Sequence, residues 1–343
     1  MIIDKNFSPM MEQVFAGRGF SIDEAEALTH SMIDGTLSDV RIAAVLTGFR
    51  FLPLSEEVII RILKTIQENH KNKIKHTLPH VVDCSGTGGD KTSTLNILTI
   101  SSLVTAGAGA HVARFTGVGI SNKSGSSGDV LQMLNINPAN SLDNAYDQLN
   151  KCHFSFLQLN TFYPTLKHLM DIRKTLGFKT IIDLVFPLAN PVNLTGQFIG
   201  VYNKDSLPLM ANCMKKLGRN RALIAYGEDG LDEISVCSAT YLSKLENGKI
   251  SHDVIKPSDF GFKTHKIKDL FGKDVEYNTK ILIETLKNRA HSAVLDAVIL
   301  NAAATLWCAE LCDSLSEGIA LAKETINSGK ALKMLDKWKN NSN

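Results

Sequence analysis

The strongest constraint on the fold is a pattern that occurs twice between residues 80 and 134. Each copy is a short apolar strand, a glycine-rich loop and a helix, with strands predicted over 80–84 and 110–115 and helices from Thr94 and from Asp129. A repeated strand–loop–helix order is typical of a parallel sheet covered by helices, so we expect an α/β fold with a mostly parallel central sheet. Ligand-binding loops then belong at the carboxyl ends of the strands.

A helical unit is predicted before this pattern. Apolar residues recur at three- and four-residue spacing between residues 20 and 70. Ser21 and Glu24 have the spacing of a capping box, and Ser55 is placed to cap a later helix. The polar and basic run 71–76 is typical of a linker.

These patterns predict two domains. We expect residues 1–72 to form a small all-helical domain, with part of 165–190 packing on it, and residues 78–343 to form a larger α/β domain. Residues 292–322 are predicted to form a pair of apolar helices, and the polar tail 337–343 is expected to be frayed.

Composition excludes several classes of protein. The 343 residues carry 37 basic and 35 acidic side chains, and a net charge of +2 offers no field that would recruit nucleic acid or a membrane surface. No apolar run approaches the ~20 residues of a membrane span, and the first residues do not resemble a signal peptide. We expect a cytoplasmic protein whose six scattered cysteines, Cys84 included, are buried thiols.

The first glycine loop is Gly86-Thr87-Gly88-Gly89-Asp90. Glycines let backbone N–H groups approach an anion closely, and the amino terminus of the following helix adds favourable partial charge. The loop is not a Walker A motif, because no lysine and hydroxyl residue follow its last glycine. Phosphate binding is therefore one interpretation, and a tight turn without a ligand is the other.

The second loop, residues 121–127, combines the ammonium group of Lys123 with the hydroxyls of Ser124 and Ser126. Such groups, together with exposed backbone amides, can surround a phosphate or diphosphate. The alternative is a serine-rich surface loop. Two anion-binding loops in succession favour a phosphorylated ligand.

Two adjacent carboxylates, Asp232 and Glu233, follow a predicted strand and a glycine turn. Carboxylates beside a bound phosphate suit Mg²⁺, which is usually held by one or two of them together with substrate oxygens. A solvated acidic turn is the alternative. Arg173 lies on a predicted helix, where its guanidinium would either form an ordinary ion pair or clamp a carboxylate bidentately.

Seven motifs in order along the chain resemble the anthranilate phosphoribosyltransferase family. The resemblance extends almost from end to end and includes the helical amino-terminal part. The motifs are the segments 83–90 with Thr94, Asn96 and Thr99, then 123–126, 171–177, 187–191, 230–233, 300–304 and 328–331.

The resemblance implies an enzyme of the nucleoside phosphorylase and phosphoribosyltransferase fold type. It implies a homodimer built through the helical domains, and transfer of phosphoribose from phosphoribosyl pyrophosphate to the amine of anthranilate, a step of tryptophan biosynthesis. By the same resemblance, Asp232 and Glu233 bind Mg²⁺ and Arg173 faces the carboxylate of the acceptor. The donor would be held by Gly86, Thr87, Gly89, Asp90, Asn96, Thr99, Lys123 and Ser126, and Thr94 and Ser124 are further candidate substrate-binding residues.

The chain departs from the family where the aromatic acceptor is recognised. The family's Lys-His-Gly-Asn-Arg run is replaced by Arg114-Phe115-Thr116-Gly117-Val118, so the imidazole and the amide are absent. Arg114, Phe115 and Gly117 remain candidate substrate-binding residues. Three further changes are Leu98 in place of a metal-holding serine, Tyr163 in place of a histidine, and one additional residue within 126–129. Phe115 and Tyr163 would make the acceptor pocket more aromatic.

Four alternatives to an ordinary anthranilate enzyme are open at this point. A divergent paralogue would ribosylate a different aromatic or heterocyclic acceptor, and a non-catalytic protein would only bind on the same fold. A phosphorylase of this fold would carry Lys-His-Ser before the glycine loop, whereas Asp83-Cys84-Ser85 stands there. The intact glycine loop and the small net charge argue against a nucleic-acid-binding relative.

Overall fold

The computed structural model describes residues 2–68, 76–88, 94–117 and 125–342, with side chains from residue 7 onward in those ranges. The chain divides into two compact units. The helical unit comprises Met1–Asn72 and Leu159–Ala189, and the sheet unit comprises Lys73–Gln158 and Asn190–Asn343.

Fifteen α-helices occur in the described ranges. They are α1 (Ile2–Phe15), α2 (Ile22–Ile33), α3 (Asp39–Phe51), α4 (Glu56–Glu68), α5 (Ile97–Gly107), α6 (Ser127–Met133), α7 (Leu142–Cys152), α8 (Leu159–Phe162), α9 (Lys167–Leu176), α10 (Ile182–Val185), α11 (Ser206–Lys216), α12 (Val275–Leu286), α13 (Ser292–Cys308), α14 (Leu315–Asn327) and α15 (Lys330–Asn341). Short 3-10 turns cover Pro164–Leu166, Phe186–Leu188, Pro257–Phe260 and Ile267–Leu270.

The helical unit is held by the packing of amphipathic helices. The predicted capping box is present, since the Ser21 hydroxyl accepts from the Glu24 amide and the Glu24 carboxylate accepts from the Ser21 amide. The Ser55 hydroxyl accepts from the Val58 amide at 3.3 Å, as its predicted role as a cap requires. Helix α4 packs on α2 and on α10, and α9 packs on α3, so the segment Leu159–Ala189 is part of this unit.

The sheet unit is built on seven strands in the order β3-β2-β1-β4-β5-β6-β7. The first five in that order run parallel, whereas β6 and β7 are antiparallel. The mostly parallel central sheet that the sequence predicted is therefore confirmed. The strands are β1 (Val81–Gly86), β2 (His111–Thr116), β3 (Phe154–Gln158), β4 (Gly196–Gly200), β5 (Arg221–Gly227), β6 (Thr240–Glu246) and β7 (Lys249–Ile255).

An apolar helix layer covers one face of this sheet. Helices α5 and α13 pack on each other, and α14 and α15 pack beside them, so Leu103, Leu300 and Leu306 are fully buried. The predicted helix pair over 292–322 is α13 and α14. All six cysteines are free thiols, and five of them, Cys84 included, are buried.

The expectation of a frayed tail is wrong. Helix α15 continues to Asn341, and the Trp338 side chain is fully buried. Its ring centroid lies 4.4 Å from that of Phe154, and its indole N–H donates to Gln148 Oε1 at 3.4 Å. The polar composition of the tail concealed one large apolar anchor at helical spacing.

Two predicted helix starts are also displaced. Helix α5 begins at Ile97 rather than at Thr94, because Thr94 forms a bridge with Phe271 and the Leu95 amide donates to the Leu270 carbonyl at 2.8 Å. Helix α6 begins at Ser127, two residues before Asp129, because Ser126 is its N-cap.

Candidate functional site

The carboxyl ends of four parallel strands meet at one edge of the sheet. Strands β1 and β4 end together, with Gly86 opposite Gly200, and β2 and β5 flank them. A pocket at this edge brings together ten polar or glycine residues and three apolar ones. It is lined by Gly86, Gly88, Thr94, Leu95, Asn96, Ile97, Leu98, Thr99, Arg114, Thr116, Ser127, Asp232 and Glu233.

Asp232 lies directly over the paired ends of β1 and β4. A Cβ atom on Gly86 would overlap its carboxylate, and one on Gly200 would overlap its backbone carbonyl. The Gly88 amide donates to Asp232 Oδ2 at 2.6 Å. Glycine is therefore required at both strand ends for an acidic side chain to lie this close to the sheet.

Asn301, which is fully buried on α13, holds the segment that carries Asp232 and Glu233. The Asn301 amide donates to the Ile234 carbonyl at 2.9 Å and its side-chain oxygen accepts from the Ile234 amide at 2.8 Å. This reciprocal pair holds the backbone immediately after Glu233. This role of Asn301 was not predicted. The one signal for it in the sequence is a lone asparagine within an apolar helix, where a buried amide needs hydrogen-bond partners.

Asn96, Thr99 and Ser127 form a polar group on the opposite side of the pocket. Ser127 Oγ lies 2.7 Å from Thr99 Oγ1 and 3.4 Å from Asn96 Nδ2. Asn96 and Thr99 come from the start of α5, whose first amides carry partial positive charge. The group can donate hydrogen bonds to anionic oxygens.

Arg114 supplies a positive charge to the pocket from β2. Its side chain is buried, and among the described residues its Nε and Nη1 have no hydrogen-bond partner. Two nitrogens of a buried guanidinium that lack acceptors are costly unless a ligand anion supplies them, even though the Asp83 carboxyl interacts with the charge. This is the clearest electrostatic sign that the pocket receives an anion.

Asp83 lies on β1, does not line the pocket, and is fully buried. Burial raises its pKa to about 6, although the positive charge of Arg114 and the amide of Phe115 oppose that shift. The Phe115 amide donates to Asp83 Oδ1 at 3.2 Å, and Gln197 Nε2 donates to Oδ2 at 3.4 Å.

Cys84 next to it is not a nucleophile, because burial raises the pKa of the thiol to about 12.

Ser126, predicted to bind the substrate, is used in a different way. Its hydroxyl donates to Asp129 Oδ2 at 2.8 Å and accepts from the Asp129 amide at 3.2 Å, and its own amide donates to the same carboxylate. The adjacent Ser127 lines the pocket instead.

Arg173 and Tyr163 belong to the helical unit. Arg173 is buried and paired with Asp183, to which its Nε donates at 2.9 Å. Tyr163 is buried and its hydroxyl donates to the Ala189 carbonyl at 2.5 Å. Both polar groups therefore have partners inside their own unit.

The remaining predicted residues either do not line this pocket or lie outside the described residues. Thr87 is buried and its amide donates to the Gly200 carbonyl at 2.9 Å. Phe115 is buried on the opposite face of the sheet from Arg114, as alternation along a strand requires, and Gly117 is exposed. Four others lie outside the described residues: Gly89, Asp90, Lys123 and Ser124.

Comparison with known proteins gives matches over nearly the whole chain. Residues 78–332 match the α/β domain of a glycosyl transferase family, and residues 8–69 match the helical bundle domain of that family. The anthranilate phosphoribosyltransferase of Persephonella marina is 33% identical over 95% of this chain and 96% of its own length. That of Priestia megaterium is 34% identical over 97% of each chain.

Solved structures share the fold. The anthranilate phosphoribosyltransferase of Thermus thermophilus superposes with a TM-score of 0.85 at 26% identity, covering 96% of this chain and 98% of its own. The enzyme of Saccharomyces cerevisiae, solved with PRPP and Mg, gives a TM-score of 0.85 at 24% identity, covering 97% of this chain and 96% of its own. None of the described helices has the length and apolar character needed to cross a bilayer.

Proposed function

Because this chain belongs to the anthranilate phosphoribosyltransferase family, we propose that it transfers phosphoribose from phosphoribosyl pyrophosphate to the amine of anthranilate in tryptophan biosynthesis. The observation that carries the proposal is one pocket that contains both a buried guanidinium, Arg114, and two carboxylates, Asp232 and Glu233. A diphosphate can neutralise the first and share a cation with the other two.

The reaction forms the bond from the anthranilate nitrogen to ribose C1 and breaks the bond from C1 to the pyrophosphate oxygen. The electron pair of the broken bond leaves with pyrophosphate, and the proton that the amine loses passes to the released pyrophosphate or to water. Arg114 and the hydroxyls of Thr99 and Ser127 would bind the negative charge that grows on the leaving group. The buried side-chain oxygen of Asn96, which has no hydrogen-bond partner among the described residues, would accept from a ribose hydroxyl.

The carboxylate pair fits Mg²⁺. The described residues contain no cluster of three or more His, Cys, Asp or Glu side chains that would form a complete protein cage, and Mg²⁺ does not need one when phosphate oxygens and water complete its octahedron. Asp232 and Glu233 would hold the ion, which would neutralise the leaving diphosphate when bound. Gly86 and Gly200 lack side chains and so leave room for Asp232 at the ends of β1 and β4.

Several further assignments belong to this proposal. Gly89, Asp90, Lys123 and Ser124 would complete the walls around the donor, and Arg173 would receive the carboxylate of the acceptor. The helical unit and the sheet unit would be the two domains of the enzyme.

Assembly and location are also proposed. Three large apolar side chains of the helical unit, Phe15, Val40 and Phe51, are 75–80% exposed, which supports a homodimer through that unit. Six free thiols support a reducing compartment, the cytoplasm. Sedimentation of the wild type beside Phe51→Glu would test the dimer, because an ionised side chain at a buried dimer contact should shift the protein toward monomer.

Transfer to another aromatic acceptor is the second candidate. It is favoured by the pairing of Arg173 with Asp183 and by the absence of the family's imidazole and amide at Phe115 and Gly117. Anthranilate and aromatic amines without a carboxylate should be compared at saturating donor and Mg²⁺, with pyrophosphate release as the measurement. Turnover of anthranilate alone supports the first candidate, and turnover only of other amines supports the second. Glu233→Gln is the negative control for both.

A further inference from the structure

The sheet splits between β1 and β2 at the edge where the pocket lies. The register of β1 with β2 covers two pairs and ends at Val82 and Val112. On their other sides the same strands stay paired to their last residues, β1 with β4 and β2 with β3. The pocket opens at this split, because Gly86 lines it from β1 and Arg114 and Thr116 line it from β2.

Two buried side chains, Asp83 and Asn190, bridge the split. The Phe115 amide donates to Asp83 Oδ1 at 3.2 Å, and Asn190 Nδ2 donates to the Ala113 carbonyl at 2.7 Å. Asn190 also donates to the Asp83 carboxylate, so the two side chains contact each other. Backbone groups of β2 that a continuous ladder would satisfy are therefore satisfied by side chains.

Both bridging side chains are held at a second point. Gln197 Nε2 on β4 donates to Asp83 Oδ2 at 3.4 Å, and the Val192 amide donates to Asn190 Oδ1 at 2.9 Å. The bridge is therefore a fixed spacer between the two strands and not a pair of mobile side chains.

The bridge requires a carboxylate at its centre. Asp83 accepts from the amides of Cys84 and Phe115 and from the side chains of Asn190 and Gln197. A carboxylate offers only acceptor sites, whereas an asparagine in its place would turn an NH₂ group toward some of these donors. The neutral isostere cannot complete the same set of hydrogen bonds.

The same carboxylate reduces stability. Burial raises the pKa of Asp83 to about 6, although the positive charge of Arg114 opposes that shift. Arg219 is the other charged side chain that interacts with it. A buried charge that is costly to the fold and lies beside a ligand pocket is typical of a functional role.

Arg114 and Thr116 flank Phe115 on β2, so a contact that holds the Phe115 amide also fixes these two pocket residues. We propose that Asp83 and Asn190 are positioning residues for the transfer reaction, which set the separation of β1 and β2 and so hold Arg114 where it meets the donor diphosphate. The inference rests on the proposed function for the identity of the donor, and on the observed hydrogen bonds for the bridge.

The first test is calorimetry of phosphoribosyl pyrophosphate binding in saturating Mg²⁺. Asp83→Asn and Asn190→Ala should each raise the Kd roughly tenfold, because each removes hydrogen bonds that hold β2. Both act on one bridge, so the Kd of the double variant should stay below the roughly hundredfold rise that independent effects would give. Steady-state kinetics should show a higher KM for the donor and an unchanged KM for the acceptor.

Ser155→Ala is the matched control. Ser155 is fully buried on the neighbouring strand β3, donates to Gln148 Oε1 at 3.1 Å and does not line the pocket, so this variant should keep the donor affinity of the wild type. Asp83→Asn should lose donor affinity while it resists urea better at neutral pH, a combination that a purely structural role would not produce. Wild-type affinity in both bridge variants, an equal loss in Ser155→Ala, or independent effects in the double variant would overturn the assignment.

Hydrogen exchange tests the bridge without any ligand. The Phe115 amide should exchange faster in Asp83→Ala, which removes its acceptor, than in Ser155→Ala. Equal exchange in the two variants would overturn the bridge.

A second probe separates this inference from the proposed function. If the wild type does not bind phosphoribosyl pyrophosphate, the enzyme proposal fails, and inorganic pyrophosphate with Mg²⁺ then replaces the donor as the probe. Weaker pyrophosphate binding in Asp83→Asn and Asn190→Ala supports the positioning role. Equal binding in the wild type and these variants, or binding by none of them, rejects it.

Discussion

Arg173 and Asp183 form a buried, two-pronged ion pair inside the helical unit. Arg173 Nε donates to Oδ2 at 2.9 Å and Nη2 donates to Oδ1. The Thr180 amide also donates to Oδ2 at 2.8 Å, and Lys179 Nζ lies 3.4 Å from Oδ1. The arginine that would receive an acceptor carboxylate already has a carboxylate along one edge of its guanidinium.

We predict that Asp183→Asn lowers the KM for anthranilate severalfold and leaves the KM for the donor unchanged. The amide keeps the shape of the side chain but removes the counter-charge, so an incoming carboxylate would replace it. Removing one partner of a buried pair should also reduce the free energy of unfolding by about 3–5 kcal/mol. Steady-state kinetics and urea denaturation measure the two effects.

An unchanged or higher KM for anthranilate in Asp183→Asn would mean that Asp183 only orients Arg173, or that Arg173 does not bind the acceptor. Arg173→Lys distinguishes these cases, because it retains the charge and loses the planar fork.

We predict that Asn301→Ala raises the Mg²⁺ concentration for half-maximal activity. The substitution removes both hydrogen bonds to Ile234 and so releases the backbone that positions Glu233. The free energy of unfolding should fall by about 1–3 kcal/mol for each buried group left without a partner. Thr325→Val is a stability control, because it removes a buried 2.8 Å hydrogen bond to Leu321 within α14. An equal rise in the Mg²⁺ requirement in that control would contradict the prediction.

We predict that Trp338→Ala destabilises the sheet unit by about 3–5 kcal/mol, the usual effect of truncating a buried aromatic side chain. The ring is fully buried against Phe154, and its loss leaves a cavity beneath β3. Urea denaturation measures the change, and Trp338→Phe should restore part of it. Wild-type stability in Trp338→Ala would show that the last helix contributes nothing.

We predict that Asp83→Asn stabilises the protein near neutral pH and less so in acid. Burial raises the pKa of Asp83 to about 6 from 3.8, so the folded state holds the proton more tightly than the unfolded state. The wild type therefore gains stability from this group as the pH falls through about 6 toward 3.8. Above about pH 6 the buried, ionised carboxylate lowers the free energy of unfolding of the wild type by about 3 kcal/mol, and the neutral amide of Asp83→Asn would remove this penalty.

Urea denaturation of both proteins between about pH 5 and pH 7.5 measures the difference in their free energies of unfolding. This difference should shrink by roughly half as the pH falls from 7.5 to 5. His111 and His153 act in the opposite direction in both proteins. Burial lowers the pKa of each imidazole, so their contribution to stability is lost as the pH falls through their unfolded value of 6.5. Because both proteins contain His111 and His153, the contribution of these histidines cancels when the variant is compared with the wild type. A difference that grows in acid would contradict the assignment.

Strong local patterns predicted much of the fold. The capping box at Ser21 and the strands β1 and β2 were predicted because their signals are short-range and unbroken. The hairpin β6–β7 was missed, although Asn247-Gly248 between its strands is a clear turn signal. Strand β3 has only five residues, and its apolar run cannot be distinguished by periodicity from a buried helix.

The candidate site was predicted in composition but not in detail. The pocket contains Arg114 from β2 and both predicted metal ligands from the segment after β5, as expected for the carboxyl ends of parallel strands. The exchange of roles between Ser126 and Ser127 depends on where α6 begins, and single-residue boundaries are not readable from sequence. The pairing of Arg173 with Asp183 depends on two helices meeting in three dimensions, although the sequence places the two residues only ten apart.

The antiparallel direction of β6 has a consequence for how this enzyme can be altered. Strand β5 ends and β6 begins at the same edge, where the Glu228 amide donates to the Ala239 carbonyl at 2.9 Å and closes the base of the segment 228–239. The segment also carries both predicted metal ligands, and beyond this closure it is held by the two hydrogen bonds between Asn301 and Ile234 and by the Gly88 amide on Asp232. A segment transplanted from a relative would therefore keep its position only if it retained an acceptor for the Gly88 amide and a backbone that pairs with Asn301.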